Sequence, residues 1–220
     1  MIKRKFLRGK YYHLHNVGIE KKIIFVSKED FDRFEAYLYL LNDTESPRAA
    51  NFFSAGRKSS VFESARTQPL IAIAAYCLMP TRFDICATPL VEGGISKFMQ
   101  KLQTAYTMYF NDKYPRVGNL FQGIFKSFHA ASESDLKHVL ARIHLSPLEL
   151  FDTDWKEKNI FELEKMAPSV LDYRYSSVGE YKNNKHIITM PKKFPKFVSR
   201  AKDPNACIRY WVDYKAKVAY

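Results

Sequence analysis

The 220-residue chain has only three cysteines, Cys77, Cys86 and Cys207. They are too few and too scattered for a disulfide framework or a structural zinc site. No apolar run approaches the roughly 20 residues that a membrane-spanning helix needs. The opening MIKRKFLRGK is basic but has no apolar core behind it, so no secretory signal is expected and the cytoplasm is the expected compartment. Internal repeats and low-complexity tracts are also lacking. Acidic residues are in deficit, 23 Asp and Glu against 35 Lys and Arg, for a formal net charge of +12. An excess of that size points to a polyanionic partner, nucleic acid before an anionic membrane surface. Hydrophobic residues make up 46% of the chain, enough for a packed core, which excludes whole-chain disorder.

The positive charge is clustered: Lys3, Arg4, Lys5, Arg8 and Lys10, then Lys21 and Lys22, then Lys182 and Lys185, then Lys192, Lys193 and Lys196. Tyr11 to Val17 alternates as a strand, and Ile23 to Val26 is a second short apolar run. Ser27 with Asp30 forms a capping-box signature ahead of Phe31, Phe34, Leu38 and Leu41 at helical spacing. Residues 42–70 lose periodicity and are long for a loop, so they hold either a functional arm or a short helix. IAIAAYCLM, a turn at Pro80-Thr81 and RFDICAT read as an antiparallel hairpin.

After Gly93-Gly94, the residues Ile95, Phe98, Met99, Leu102, Tyr106 and Tyr109 trace one helical face. YPRVG is a turn, and NLFQGIFKSFHA reads as a strand. Ser132 and Asp135 cap a second helix whose core face is Leu136, Val139, Leu140 and Ile143, ended by Pro147. A short helix near Ile160 to Met166, the tyrosine-rich LDYRYSSVGEY, a basic proline-containing segment and a last helix from about Asn205 follow. The order strand, helix, strand pair, helix, strand, helix predicts an α+β protein with helices packed on an antiparallel sheet. Residues 1–150 are expected to form the nucleic-acid-binding domain and 151–220 an extension packed on it.

Five stretches in order carry a family resemblance: YYHLHNVG…KIIF, AYCLMP…RFDICATP, GNLFQGIFKSF, ARIHLSP and DYRYSSVGEY. Together they resemble the HUH-type tyrosine transposases of the insertion-sequence and REP-associated branch. The resemblance implies a ferredoxin-like or RRM-like antiparallel sheet with a C-terminal helical extension. It also implies single-strand DNA cleavage and rejoining: two histidines on one strand and a polar side chain hold a divalent metal, and a tyrosine attacks the phosphate.

This sequence departs from that pattern at each of those positions. Arg82 and Asp84 stand where the family has its two histidines, Arg142 stands at the tyrosine, and Ser146 stands at the amide one turn later. A guanidinium stays protonated and has no lone pair to give a metal, and Arg142 is no nucleophile. The expectation is a non-catalytic DNA-binding protein with no cofactor, its partner hairpin or single-stranded DNA, and no membrane partner. Arg82, Arg116, Lys126 and Arg142 are the candidate phosphate contacts and Tyr114 a candidate stacking residue, since guanidinium groups hold phosphate bidentately and rings stack bases. An Asp84–arginine contact is expected in the free protein.

Two other classes stay open on sequence. One is an active transposase or nuclease, using magnesium or manganese, that rebuilt its site from Asp84, a histidine and one of Tyr106, Tyr109 or Tyr114. The other is an RNA-binding or interaction module on the same fold. His13-Leu14-His15 places two rings on one strand face, but no carboxylate or cysteine lies nearby in sequence to complete a metal shell. His144 is expected to orient its neighbours, Cys77 and Cys86 to be small buried residues, and Tyr173, Arg174 and Tyr175 to be structural.

Overall fold

A computed structural model describes residues 5–45 and 58–218. Lys3, Arg4 and most of the centre of the 42–70 segment lie outside the described residues. The elements are β1 (Tyr11–Val17), α1 (Lys28–Leu40), β2 (Ile71–Met79), β3 (Arg82–Pro89), α2 (Gly94–Lys113), β4 (Lys126–Ala130), α3 (Glu133–Leu145), α4 (Ile160–Asp172), α5 (Val178–Lys182) and α6 (Pro204–Val218), with short 3-10 turns between them. The class is α+β, with a four-stranded antiparallel sheet in the order β2-β3-β1-β4. No described helix is long and apolar enough to cross a membrane.

Both expected capping boxes form: Ser27 with Asp30 opens α1, and Ser132 with Asp135 opens α3. The sheet has two unlike faces. Leu14, Tyr76, Leu78, Phe83 and Ile85 pack under α1 and α2 through Phe34, Leu38, Phe98, Leu102 and Tyr106. On the other face Ala75, Cys77, Met79 and Cys86 pack under α3 through Leu136, Val139, Leu140 and Ile143. A bulge between Ile73 and Ala75 lets β2 feed both faces, because one extra residue reverses the in-out alternation.

Helix α3 is itself covered from outside. Ala141 and Leu145 pack with Leu148, Trp155, Leu163, Val170, Ile208 and Trp211 of the C-terminal part. That part also closes one edge of the sheet. Leu78 N donates to Tyr175 O, Ser177 N to Tyr76 O, Met190 N to Ile73 O, and the Tyr181 phenol to Ala74 O. Buried backbone groups on a sheet edge need such partners, so the YSSVGEY stretch acts as an edge cover. The other edge, β4, has no such cover among the described residues.

Two local expectations change. The strand predicted over NLFQGIFKSFHA begins only at Lys126. Gly118 and Gly123 take φ of +94° and +66°, a conformation that turns the chain before pairing starts. The short apolar run Ile23 to Val26 lies outside the sheet: Ile24 and Phe25 are buried and donate their N–H groups to Pro80 O, while Ile23 and Val26 are exposed. The predicted helix from Ile160 runs to Asp172 through Pro168. The described ends of the 42–70 segment are tied together, with Asn42 pairing twice with the Ile71 backbone and Asp43 accepting from Thr67 and Gln68.

Candidate nucleic-acid interface

The sheet face under α3 carries Arg82, Asp84 and Lys126 among the positions singled out by sequence. Strand alternation puts His13 and His15 of β1, Arg82 and Asp84 of β3, and Lys126 and Phe128 of β4 on this one face. Register aligns Cys77, Asp84, His15 and Lys126 as a single cross-strand row. The two histidine rings stack with centroids 5.1 Å apart.

Asp84 is the centre of a buried charge network. His13 Nε2 donates to its Oδ1 at 2.8 Å, and Arg82 Nε donates to its Oδ2 at 3.3 Å. Burial alone would raise its pKa, but the His13 hydrogen bond and the charges of His13 and Arg82 outweigh that and hold the carboxyl at about 2. Arg82 then uses its other two nitrogens on Glu149, with Nη1 to Oε1 at 2.9 Å and Nη2 to Oε2 at 2.8 Å. This fork-to-fork pair is the strongest geometry available to a guanidinium and a carboxylate. The expected Asp84–arginine contact therefore forms, with Arg82, and Glu149 joins it.

Arg142 and Lys126 differ from Arg82. Both side chains are exposed, and neither forms an ion pair among the described residues. Burial lowers the pKa of His15; Asp84 pulls it back up, while the charges of His13, Arg142 and Lys126 push it further down. In the cross-strand row His15 thus stands between Asp84 of β3 and the open Lys126 of β4. On α3, His138 is lowered to about 4 by burial and by the charge of Arg142, and its ring stacks on Trp211 and Tyr214.

The donor set does not fit a divalent metal. Arg82 offers no lone pair, both Asp84 oxygens are engaged, and the Ser146 hydroxyl donates to Arg142 O at 2.7 Å. Among the described residues no cluster of three His, Cys, Asp or Glu side chains could hold a metal ion.

The tyrosines lie elsewhere. Tyr106 is fully buried and its phenol donates to Ile24 O, while those of Tyr109 and Tyr114 both donate to Asp30. All three belong to the α1–α2 side of the sheet. Burial and then the Asp30 hydrogen bond raise Tyr109 to about 12. Arg116 is held at the end of α2 by Asn111 Oδ1 and Asn119 O, both at 3.2 Å. The structure thus brings Arg82, Asp84 and Lys126 onto one face with Arg142 beside it, and leaves Tyr114 and Arg116 with the other layer. Ser146 caps its own helix.

Two partners escaped the sequence reading. His13 is buried and bound to Asp84 across 71 positions, and Glu149 reaches Arg82 across 67. The Pro147 turn that ends α3 was the available signal for Glu149, since it swings the next residues back toward the sheet. His144 is fully buried with Nε2 2.8 Å from Ser177 Oγ, which accepts from Tyr76 N, so it braces the edge cover.

No protein-family profile matches the chain, and no curated protein does. A solved structure of a REP-associated tyrosine transposase bound to a REP hairpin is similar in fold, with a TM-score of 0.52 at 13% identity, covering 86% of this chain and 90% of that one. What the likeness shows is a fold shared with a tyrosine transposase.

Proposed function

We propose that this protein binds hairpin or single-stranded DNA through the sheet face beside α3 and does not cut it. The observation that carries the reading is the division of labour between its cations. Arg82 is locked by Asp84 and Glu149, whereas Arg142 and Lys126 are exposed and unpaired among the described residues, Lys126 directly opposite His15 across the β1–β4 pair. The lock replaces a metal site with a self-neutralised network, and the open cations are placed for phosphate oxygens. The solved transposase of similar fold is bound to a REP hairpin, which supports the choice of ligand.

On this reading Lys126 and Arg142 make the phosphate contacts, Arg82 positions the strand end, and Tyr114 and Arg116 shape the loop after α2. No metal cofactor takes part. Residues 1–150 bind the nucleic acid and residues 151–220 brace α3 and the β2 edge. A rebuilt tyrosine site has no support from the geometry, because Tyr106, Tyr109 and Tyr114 sit across the sheet from Asp84 with their phenols engaged.

The test is incubation with end-labelled hairpin DNA carrying single-stranded flanks, with manganese, resolved on native and denaturing gels. The expected result is a shifted native band and an intact, protein-free oligonucleotide after denaturation. A covalent adduct or a cleaved product would overturn the non-catalytic reading, and no native shift would overturn DNA binding.

A further inference from the structure

A cavity of about 410 Å³ opens against α1, on the α1–α2 side of the sheet. Its apolar lining is Ala36 of α1 with Val61 and Phe62 of the 3-10 turn at Lys58–Glu63. Ala36 and Val61 are buried, and Phe62 is half-buried beside them. A lining of that kind takes an apolar or aromatic body of small-molecule size.

The cations of the wall are already engaged. Lys113 Nζ lies 2.7 Å from Asp30 Oδ1, and Arg174 Nη2 lies 3.3 Å from Asp32 Oδ1. The Arg33 guanidinium sits over the Tyr109 ring, 4.6 Å from its centroid. An anionic ligand would have to break one of these contacts to gain a partner.

Glu35, which also lines the cavity, is placed differently. The Tyr76 phenol of β2 donates to its Oε1 at 3.0 Å, and it forms no ion pair among the described residues. Burial raises its pKa to about 7. The Tyr76 hydrogen bond and the charge of Arg174 pull it down, while Asp32 on α1 and Glu180 on α5 push it further up. A carboxyl in that setting lacks a counter-ion, and a cation entering the cavity supplies one through a charge-assisted hydrogen bond.

We propose that this cavity binds a small organic cation, a protonated amine on an apolar or aromatic body. The nitrogen pairs with the Glu35 carboxylate and the body rests on Val61 and Phe62. The site lies across the sheet from Lys126, and the inference does not depend on the DNA-binding reading.

The probes are phenethylamine, phenethyl alcohol and phenylacetate, which share a body and differ in charge. Binding of each is measured by calorimetry and ligand-observed NMR to the unaltered chain, Glu35→Gln and Phe62→Ala, at pH values below and above the Glu35 pKa of about 7. Above it, the unaltered chain should favour the amine about 10-fold over the other two. Below it, amine affinity should fall and binding should release a proton to the buffer, because Glu35 must ionise first. Glu35→Gln should bind amine and alcohol alike at both pH values. Phe62→Ala should weaken amine and alcohol by a similar factor, since it removes the shared contact. An amine preference that survives Glu35→Gln, equal affinity of the unaltered chain for amine and alcohol, or no binding of the amine would overturn the proposal.

Discussion

Arg82 and Glu149 face each other fork to fork, with two N–H···O contacts of 2.9 and 2.8 Å joining the start of β3 to the turn after α3. With Asp84 and His13 they form a chain of four charged or chargeable side chains between sheet and helix. Removing Glu149 leaves Arg82 still held by Asp84 but with its two Nη groups unpaired at a half-buried place, so the loss is that of a charge-assisted hydrogen-bonded pair. Glu149→Ala should destabilise the fold by about 1–3 kcal/mol in urea unfolding, and the Arg82→Ala, Glu149→Ala cycle should show coupling of about 0.5–3 kcal/mol. Independent, additive losses would show that the contact contributes nothing.

Two carboxylates should bend the pH–stability profile in opposite directions. Asp84 falls from 3.8 to about 2 on folding, so its stabilisation is complete above pH 4 and is lost as pH drops through 2. Glu35, shielded from water and accepting from the Tyr76 phenol, rises from 4.5 to about 7. The folded state therefore keeps a proton there that the unfolded chain has released, and stability should decline as pH rises from 4.5 to 7. Glu35→Gln should flatten that decline, which amounts to at most about 3 kcal/mol. An unchanged slope in urea titrations at pH 5 and 8 would contradict the assignment.

Introducing the histidines that the resemblance implies separates metal binding from chemistry. Arg82→His with Asp84→His should bind manganese weakly in calorimetry yet give no covalent product, since Arg142 has no hydroxyl to attack with. Adding Arg142→Tyr should be required for any phosphotyrosine adduct with single-stranded DNA. An adduct formed by the double variant alone would place the nucleophile elsewhere.

Much of the fold was legible in the sequence, because its signals are local. Ser27 with Asp30 and Ser132 with Asp135 mark helix starts within four residues, and IAIAAYCLM with RFDICAT flanks its own turn. The misread strand over NLFQGIFKSFHA shows the limit of periodicity, since a loop that buries Leu120, Phe121 and Phe125 produces an apolar spacing like that of a strand. The four departures from the family pattern were readable residue by residue. How the residues at those positions are partnered was not. Nothing adjacent to Arg82 announces Glu149, and the register sets His15, not His13, opposite Asp84, so the His13–Asp84 contact is a diagonal one that alternation along β1 does not announce. Long-range ion pairs depend on strand order and helix docking, which a single sequence does not encode in neighbouring letters.

Affinity for a tailed hairpin DNA measured across a salt series tests the central claim most directly, comparing the unaltered chain with Lys126→Ala and Arg142→Ala. The account predicts a steep linear fall of log affinity with log salt, and a slope shallower by about 0.7–0.9 for each substitution. Binding that does not respond to salt, or slopes that neither substitution changes, would contradict it.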